Sequence, residues 1–274
     1  MKKFLPIGFI GGGNMAQALI SGMIRQGMTP QQIFVSDPDP QKLRKLAQKF
    51  KISSVKNNLD LMQKCRTIVL ATKPQDLIPI LREIAPAVSG HTMISIAAGI
   101  DRATLLKPFK GALRLIRAMP NNPALIGEGI TGLYGPPSLS ATEKKAVEAV
   151  FRGSGDVLWV NREADLDAVT GVSGSGPAYV YRFVEALGRA GEKVGLPTDV
   201  AYRLALKTTL GAALTLQKTG KLPQELIPLV TSKKGTTLAG LQVMEEKGFE
   251  KLLEQTVKAA TKRAGEIRKE FKGN

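Results

Sequence analysis

The sequence predicts an α/β fold, with an N-terminal Rossmann-like doubly wound sheet followed by an all-helical C-terminal dimerisation domain. Strand-like and helix-like segments alternate over the first 160 residues, and a glycine-rich turn joins the first strand to the first helix. After residue 161 the β-branched runs give way to long segments with helical periodicity. Such an alternation is typical of a parallel sheet with helices on both faces. We therefore expect a dinucleotide-binding domain at residues 1–161 and a helical dimerisation and substrate-binding domain at residues 162–274.

The individual elements follow from apolar periodicity and from turn residues. Strands are predicted at FLPIGFI, QIFVSD, RTIVLAT, HTMISIAA, ALRLIRAM, GITGLYG and DVLWV. Helices are predicted at Asn14–Gln26, PDPQKLRKLAQKF, PQDLIPILREIAP, Ala178–Val194, Thr198–Thr219, Pro223–Val230, Thr236–Glu246 and Phe249–Phe271. The last helix carries an amphipathic stripe. A bundle so rich in Ala, Leu and Gly could pack on the nucleotide-binding domain or pair with another chain, and we expect pairing.

Composition excludes several classes of function. The net charge of +16 is spread along the chain and few aromatic residues accompany it, which argues against nucleic-acid binding. The charge is consistent with a basic solvated surface, and it is also consistent with an electrostatic field that attracts anionic substrates and cofactors. Cys65 and His91 are the only cysteine and histidine, so a disulfide within the chain and a Cys/His metal site are both excluded. The sequence contains no run of about 18 apolar residues, so no membrane span is predicted. These features favour a cytoplasmic protein, and we expect His91 to be structural.

The segment IGFIGGGNMAQAL carries the most informative local motif. Gly11, Gly13 and Ala16 form a G-x-G-x-x-A pattern that follows a strand and opens a helix. The first glycine permits a tight turn, the second lets the backbone approach a pyrophosphate, and the alanine allows close packing of helix on strand. The alternative is a glycine-rich turn that serves packing alone. We predict a dinucleotide site here.

The second strand bears on the choice of coenzyme. It ends at Ser36 and Asp37, and an acid at this place usually binds a ribose 2′-hydroxyl, which favours NADH. Ser36, Lys42 and Arg44 could instead receive the 2′-phosphate of NADPH. Asp37 could also cap the next helix. The choice between NADH and NADPH stays open.

Lys73 follows another predicted strand. It is predicted either to line the ligand crevice or to be an ordinary exposed lysine.

Two further segments predict sites for a small anion. Gly235, Thr236 and Thr237 open a helix, where backbone N–H groups, hydroxyls and the helix dipole favour a carboxylate. The alternative is that the threonines cap the helix. The small residues Ser173–Gly176 also precede a helix and permit close approach of a ligand, with tight helix packing as the alternative.

Five segments taken together resemble the pyrroline-5-carboxylate reductase family. They are GGGNMAQALISG, ATKPQ, RAMPNNPALIGEGITGLYG, VTGVSGSGPAYVY and LVTSKKGTTLAGLQVME, and they occur in the family's order along nearly the whole chain. The resemblance implies NADPH- or NADH-dependent reduction of 1-pyrroline-5-carboxylate to L-proline, the last step of proline biosynthesis. It also implies a homodimer or larger homo-oligomer built through the C-terminal helices.

Position by position, the resemblance also implies the site residues. The cofactor would contact Ile10, Gly11, Gly12, Gly13, Asn14, Met15, Ser36, Asn58, Ala71, Thr72, Lys73 and Pro74. The substrate would lie by Met119, Pro120, Asn121, Ser173, Gly174, Ser175, Gly176, Gly235, Thr236 and Thr237. Thr237 is expected to hydrogen-bond the ring nitrogen as the catalytic residue. The chain departs from the family at Ser232–Gly235, where Ser-Lys-Lys-Gly replaces the usual Ser-Pro-Gly-Gly.

Two other functions share parts of this sequence pattern. A 3-hydroxyacid dehydrogenase has a similar plan, but it places a catalytic lysine four residues after the last glycine of its helix start, where this chain has Val180. Oxidation of a hydroxyl needs a base, and this segment offers none. The other alternative is a non-catalytic nucleotide-binding protein.

Overall fold

The structure, a computed structural model, describes residues 4–109 and 113–271. Its contacts divide the chain into two compact units. Unit 1 comprises Met1–Ser175 and Ala259–Asn274, and unit 2 comprises Gly176–Lys258. The division of domains at residue 161 stays a prediction.

Unit 1 is built on one eight-stranded sheet in the order β3-β2-β1-β4-β5-β6-β7-β8. The strands are β1 (Ile7–Ile10), β2 (Ile33–Ser36), β3 (Ser53–Ser54), β4 (Thr67–Leu70), β5 (Thr92–Ser95), β6 (Arg114–Met119), β7 (Gly129–Tyr134) and β8 (Gly155–Trp159). The predicted residue Ala112, at the start of ALRLIRAM, lies outside the described residues.

One pair of strands departs from the parallel arrangement. β6 and β7 are antiparallel, with Arg117 opposite Tyr134, whereas the other neighbouring pairs are parallel. A parallel connection needs a crossover of about a dozen residues or more, usually with a helix. β6 and β7 are joined through a single short helical turn, Asn122–Ile126, so the chain reverses direction.

Helices cover both faces of the sheet, which confirms the doubly wound arrangement. They are α1 (Asn14–Arg25), α2 (Pro40–Phe50), α3 (Asn58–Lys64), α4 (Pro74–Ile84), α5 (Arg102–Leu106), α6 (Ala141–Phe151) and α7 (Asp165–Val169). Successive residues of a strand point to opposite faces. Accordingly, Phe9 packs in one apolar core with Leu19, and Ile10 packs in a second core with Leu77.

Helix α1 lies unusually close to the turn that precedes β8. A Cβ atom on Gly22 would lie 2.6 Å from the carbonyl carbon of Gly153. The hydroxyl of Ser154 donates to the carbonyl oxygen of Ala18 at 3.0 Å. Because two backbones meet here, glycine at position 22 fixes how closely α1 approaches the sheet.

The remaining helices are α8 (Gly176–Lys193), α9 (Thr198–Thr219), α10 (Pro223–Leu226), α11 (Thr236–Glu246) and α12 (Phe249–Glu270). α8 packs on α9 through small residues, since a Cβ on Gly188 would lie 2.8 Å from the ring of Tyr202. Large apolar side chains of unit 2 remain exposed in the single chain: Val180, Tyr181, Phe183, Leu187, Leu204, Leu206, Leu210, Leu214, Leu229, Val230, Leu252 and Leu253. Apolar surface on this scale marks an interface with another protein. No described helix has the length and apolarity needed to cross a bilayer.

Candidate functional site

The glycine turn lies between the end of β1 and the start of α1. Gly11 has φ +98°, and a Cβ atom there would lie 2.6 Å from the carbonyl oxygen of Ala71. Its N–H donates to the carbonyl of Ser36 at 2.8 Å. The left-handed backbone and the lack of space for a Cβ atom both require glycine at this position. Gly11 is therefore needed for the turn itself to form.

Gly13 is different, because nothing in the described fold requires a glycine there. Its φ is −68°, and among the described residues no heavy atom lies within 4 Å of a Cβ built at this position. Gly13 and Asn14 are exposed. α1 starts with no side-chain cap and no acidic residue in its first turn, so its N–H groups are available to an anion. This space fits a pyrophosphate.

A second wall of the candidate coenzyme site follows β4. The hydroxyl Oγ1 of Thr72 is buried and has no hydrogen-bond partner within the described chain. The methyl Cγ2 of Thr72 lies 3.1 Å from the position that a Cβ on Gly11 would take. A buried hydroxyl without a partner is costly unless a ligand provides one. Lys73, the N-cap of α4, is exposed, and Pro74 is the first residue of that helix.

Asp37 lies at the carboxyl end of β2, and its carboxylate is fully engaged. Oδ2 accepts from the N–H of Gly12 at 2.8 Å and from Nζ of Lys42 at 2.9 Å. Oδ1 accepts from the N–H of Asp39 and from Lys42 Nζ, both at 3.0 Å. Burial alone would raise the pKa of Asp37, but the hydrogen bonds from Lys42 and the two backbone N–H groups outweigh burial and hold the pKa below its usual value.

The cap of α2 is Asp39 rather than Asp37. Asp39 Oδ1 accepts from the N–H groups of Gln41 at 2.9 Å and Lys42 at 3.1 Å. The capping alternative for Asp37 is therefore wrong, and Asp37 instead ties the glycine turn to the start of α2.

Ser36 and Asn58, which the resemblance assigns to the cofactor, lie together. The hydroxyl of Ser36 donates to Oδ1 of Asn58 at 2.6 Å, and Nδ2 of Asn58 donates to Oε2 of Glu83 at 2.9 Å. The two residues are 22 positions apart in sequence. The start of α3 therefore meets the carboxyl end of β2, where Ser36 directly precedes Asp37.

The predicted substrate residues of unit 1 form one cluster at the end of β6. Nδ2 of Asn121 donates to the carbonyl of Ser173 at 3.1 Å, and its Oδ1 accepts from the N–H of Ile130 at 2.9 Å. A Cβ on Gly174 would lie 2.7 Å from Cε of Met119. The amide of Asn121 therefore holds the Ser173–Gly174 backbone in place, which the sequence did not indicate.

Tight packing, the alternative to a ligand site, accounts for some but not all of the small residues in the Ser173–Gly176 segment. Thr170–Gly174 forms a π-helical turn in which the N–H of Ser175 donates to the carbonyl of Thr170 at 2.8 Å. Pro120 is buried. Gly174 is held by Met119, whereas a Cβ on Gly176, the first residue of α8, would meet no described heavy atom within 4 Å.

In unit 2 the segment before α11 keeps a tight turn despite its lysines. The N–H of Gly235 donates to the carbonyl of Ser232 at 3.0 Å, and Lys234 has φ +61°. This left-handed conformation favours glycine, which the family usually has there, and a lysine adopts it at a cost of about 1 kcal/mol or more. The turn therefore closes with Lys234 held in a strained, left-handed conformation.

Thr236 and Thr237 are the first two residues of α11, and both are exposed in the single chain. The N-cap is Gly235, which has no side chain to cap with, so the alternative that a threonine caps the helix is not what the structure has. The backbone N–H groups of the first turn are available to an anion, as at α1.

His91 is structural, as expected. Its Nδ1 accepts from the N–H of Ser89 at 2.9 Å, and its Nε2 lies 2.9 Å from the carbonyl of Met62, to which it donates. Both ring nitrogens are thus engaged in holding a loop.

A cavity beside Asp37 is not foreseeable from the sequence pattern. A cavity of about 510 Å³ is lined by Asp37, Pro38, Pro40, Leu43, Arg44, Ser54, Val55 and Lys56. The sequence pattern offers Arg44 as a phosphate ligand but does not point to Lys56. Lys56 enters the site only because β3 pairs with β2, and no local sequence signal marks that pairing.

Comparisons with known proteins agree in both halves of the chain. A family profile described as pyrroline-5-carboxylate reductase dimerisation matches residues 163–267, and one described as NADP oxidoreductase coenzyme F420-dependent matches residues 6–99. The pyrroline-5-carboxylate reductase of Pseudomonas aeruginosa is 41% identical over 262 residues, which is 95% of this chain and 96% of that protein.

Solved structures give the same result. A pyrroline-5-carboxylate reductase from Coxiella burnetii superposes with a TM-score of 0.93 at 33% identity, covering 96% of this chain and 98% of the other. The Plasmodium falciparum pyrroline carboxylate reductase with NADP bound has a TM-score of 0.84 at 29% identity, covering 97% of this chain and 99% of the other.

Proposed function

This chain belongs to the pyrroline-5-carboxylate reductase family, and on that premise we propose that it reduces 1-pyrroline-5-carboxylate to L-proline with NADPH or NADH. The reaction is the last step of proline biosynthesis. The observation that carries the proposal is the similarity to reductases over 95% of the chain. The open space at Gly13 supports it, because the fold there leaves room for a dinucleotide.

The residues around the glycine turn bind and orient the coenzyme. The first N–H groups of α1 bind the pyrophosphate, and Gly13 admits it to hydrogen-bond distance. The hydroxyl of Thr72 gains a partner when the coenzyme is bound, and the Ser36–Asn58 pair lies at the ribose. The reduced nicotinamide supplies the hydride.

The residues at the start of α11 bind the substrate. The N–H groups of Thr236 and Thr237, at the start of α11 after Gly235, bind its carboxylate, and the hydroxyl of Thr237 hydrogen-bonds the ring nitrogen. The Met119–Asn121 and Ser173–Gly176 segments line the ring. A cyclic imine that arrives protonated is already a good hydride acceptor, so these residues need only position it, and no strong enzyme acid is required. This agrees with His91 being occupied by structural hydrogen bonds.

Assembly follows from unit 2 and the family. The exposed apolar residues of α8, α9 and α12 become buried when two copies associate through the dimerisation region. The chain therefore works as a homodimer or larger homo-oligomer. We place it in the cytoplasm, since its single cysteine gives no disulfide for an oxidising compartment to form within the chain.

Replacement of Thr237 by valine tests the proposal, because valine keeps the shape and removes the hydroxyl. We expect wild type to form proline from pyrroline carboxylate with loss of NADPH or NADH absorbance. We expect kcat to fall by about 10- to 100-fold in Thr237→Val, since one hydrogen bond to a charged group is lost, with coenzyme affinity unchanged.

Thr215→Val is the matched control, because Thr215 is an exposed threonine whose hydroxyl only bonds its own helix at the carbonyl of Gly211. Equal rates for wild type and Thr237→Val would remove Thr237 from the mechanism. Absence of proline with either coenzyme would overturn the function itself. Turnover of 3-hydroxyacids instead would favour the dehydrogenase alternative, although Val180 stands where that chemistry needs a lysine.

A further inference from the structure

The carboxylate of Asp37 has no capacity left for a ribose. An ionised carboxylate offers about four acceptor positions on its two oxygens. Gly12 N–H and Lys42 Nζ occupy Oδ2, and Asp39 N–H and Lys42 Nζ occupy Oδ1. The side chain is only 4% exposed. An acid that selects NADH must accept from the ribose 2′-hydroxyl, and here that role would require Asp37 to release the glycine turn or Lys42.

The surroundings of Asp37 favour a phosphate rather than a hydroxyl. Arg44 and Lys56 line the cavity beside Asp37, and neither forms an ion pair or side-chain hydrogen bond with any residue that the structure describes. Lys42 neutralises the Asp37 carboxylate, so the two remaining charges of the cavity lining, those of Arg44 and Lys56, sum to about +2. Arginine and lysine without partners in a cavity provide strong donors to a phosphate monoester.

We propose that the cavity lined by Arg44 and Lys56 binds the 2′-phosphate of NADPH, and that this chain prefers NADPH to NADH. Lys42 is a positioning residue in this arrangement. It neutralises Asp37 and holds the carboxylate against the glycine turn, so that Asp37 neither accepts from a ribose hydroxyl nor repels the phosphate. The inference rests on the proposed function because it concerns the same coenzyme, but it can be tested by binding alone.

The test measures dissociation constants by calorimetry, without substrate, for two pairs of probes. Adenosine 2′,5′-bisphosphate is compared with adenosine 5′-monophosphate, and NADPH is compared with NADH. For wild type we expect the compound with the 2′-phosphate to bind at least about tenfold tighter in each pair, since one charge-assisted hydrogen bond is worth about that much. Equal or reversed affinities would overturn the proposal.

Variants then separate a specific site from general attraction by a basic protein. We expect Arg44→Gln and Lys56→Gln each to weaken NADPH by about tenfold while leaving NADH unchanged. Lys45→Gln is the matched control, because it removes the same charge from the same helix outside the cavity lining. Loss of affinity for both coenzymes, or an equal effect of Lys45→Gln on NADPH, would contradict a 2′-phosphate site.

Lys42→Gln tests the role of Asp37 separately. Once Lys42 is neutral, the freed carboxylate repels a 2′-phosphate and accepts from a 2′-hydroxyl, so the ratio of NADPH to NADH affinity should fall below that of wild type. An unchanged ratio would remove Lys42 from specificity. If proline is formed with neither coenzyme but the binding ratios are as expected, the proposed function fails while the phosphate site stands.

Discussion

Replacing Gly13 by alanine should separate coenzyme binding from folding. The backbone at Gly13 has φ −68°, which alanine adopts freely, and a Cβ there would contact no described heavy atom within 4 Å. Alanine stabilises the protein by reducing the conformational freedom of the unfolded chain, and it destabilises the protein because it is a poorer helix N-cap than glycine. The two effects oppose each other, so the free energy of unfolding should change by less than about 1 kcal/mol. The same methyl group would occupy the space that we assign to the pyrophosphate.

The expected loss of affinity follows from the hydrogen bonds at the start of α1. A phosphate pushed away from these N–H groups loses one or two charge-assisted bonds, each worth about 1.5–3 kcal/mol. Because about 1.4 kcal/mol corresponds to tenfold, the Kd for NADPH should rise by about ten- to hundredfold. Calorimetric titration with NADPH and a urea unfolding curve on the same preparation give both quantities.

Gly11→Ala is the comparison that makes this result specific. Its Cβ would lie 2.6 Å from the carbonyl oxygen of Ala71 at φ +98°, so this variant should lose stability as well as coenzyme. Gly13→Ala should lose coenzyme only. If Gly13→Ala binds NADPH as tightly as wild type does, the pyrophosphate does not lie at the glycine turn.

Three further outcomes are expected elsewhere in the chain. Gly22→Ala should lower the free energy of unfolding by about 1–3 kcal/mol, because the added methyl is forced against the backbone of Gly153; an unchanged urea midpoint would show that α1 can move away. Lys234→Gly should be more stable than Lys234→Ala by about 1 kcal/mol, since only glycine relieves the left-handed backbone, and equal melting temperatures would contradict that strain. Burial raises the pKa of the Cys65 thiol to about 12, so a disulfide reagent at about pH 8 should label the unfolded but not the native protein; rapid native labelling would be the contrary result.

Periodicity predicted most of the fold because it reports burial directly. The alternation of buried strands with amphipathic helices located β1, β2, β4, α1 and α2, although it did not predict β3 or α3, and helical periodicity located the long C-terminal helices. It does not encode strand direction. The antiparallel pairing of β6 with β7 depends on the short connection between them, and the predicted strands at those positions are equally consistent with either direction.

The candidate site was predictable where the local backbone conformation or the local space requires one particular residue type. Gly11 has the left-handed backbone that the motif requires, and Gly13 faces the open space that it implies. The sequence could not decide what Asp37 does, because that depends on which donors reach it from Gly12 and Lys42 across the fold. The same holds for Asn121, whose amide is used to hold a turn more than 50 residues away.

Transfer of deuterium from the coenzyme to proline tests whether the hydride comes from a dinucleotide bound at the glycine turn. Wild-type protein is incubated with pyrroline carboxylate and NADPH carrying two deuterium atoms at C4 of the nicotinamide, and the product is examined by mass spectrometry. We expect wild type to form proline with one deuterium on the former imine carbon, and we expect this product to be strongly reduced in Gly13→Ala at limiting coenzyme. Proline without deuterium, or no proline at all, would contradict hydride transfer from a dinucleotide bound at the glycine turn.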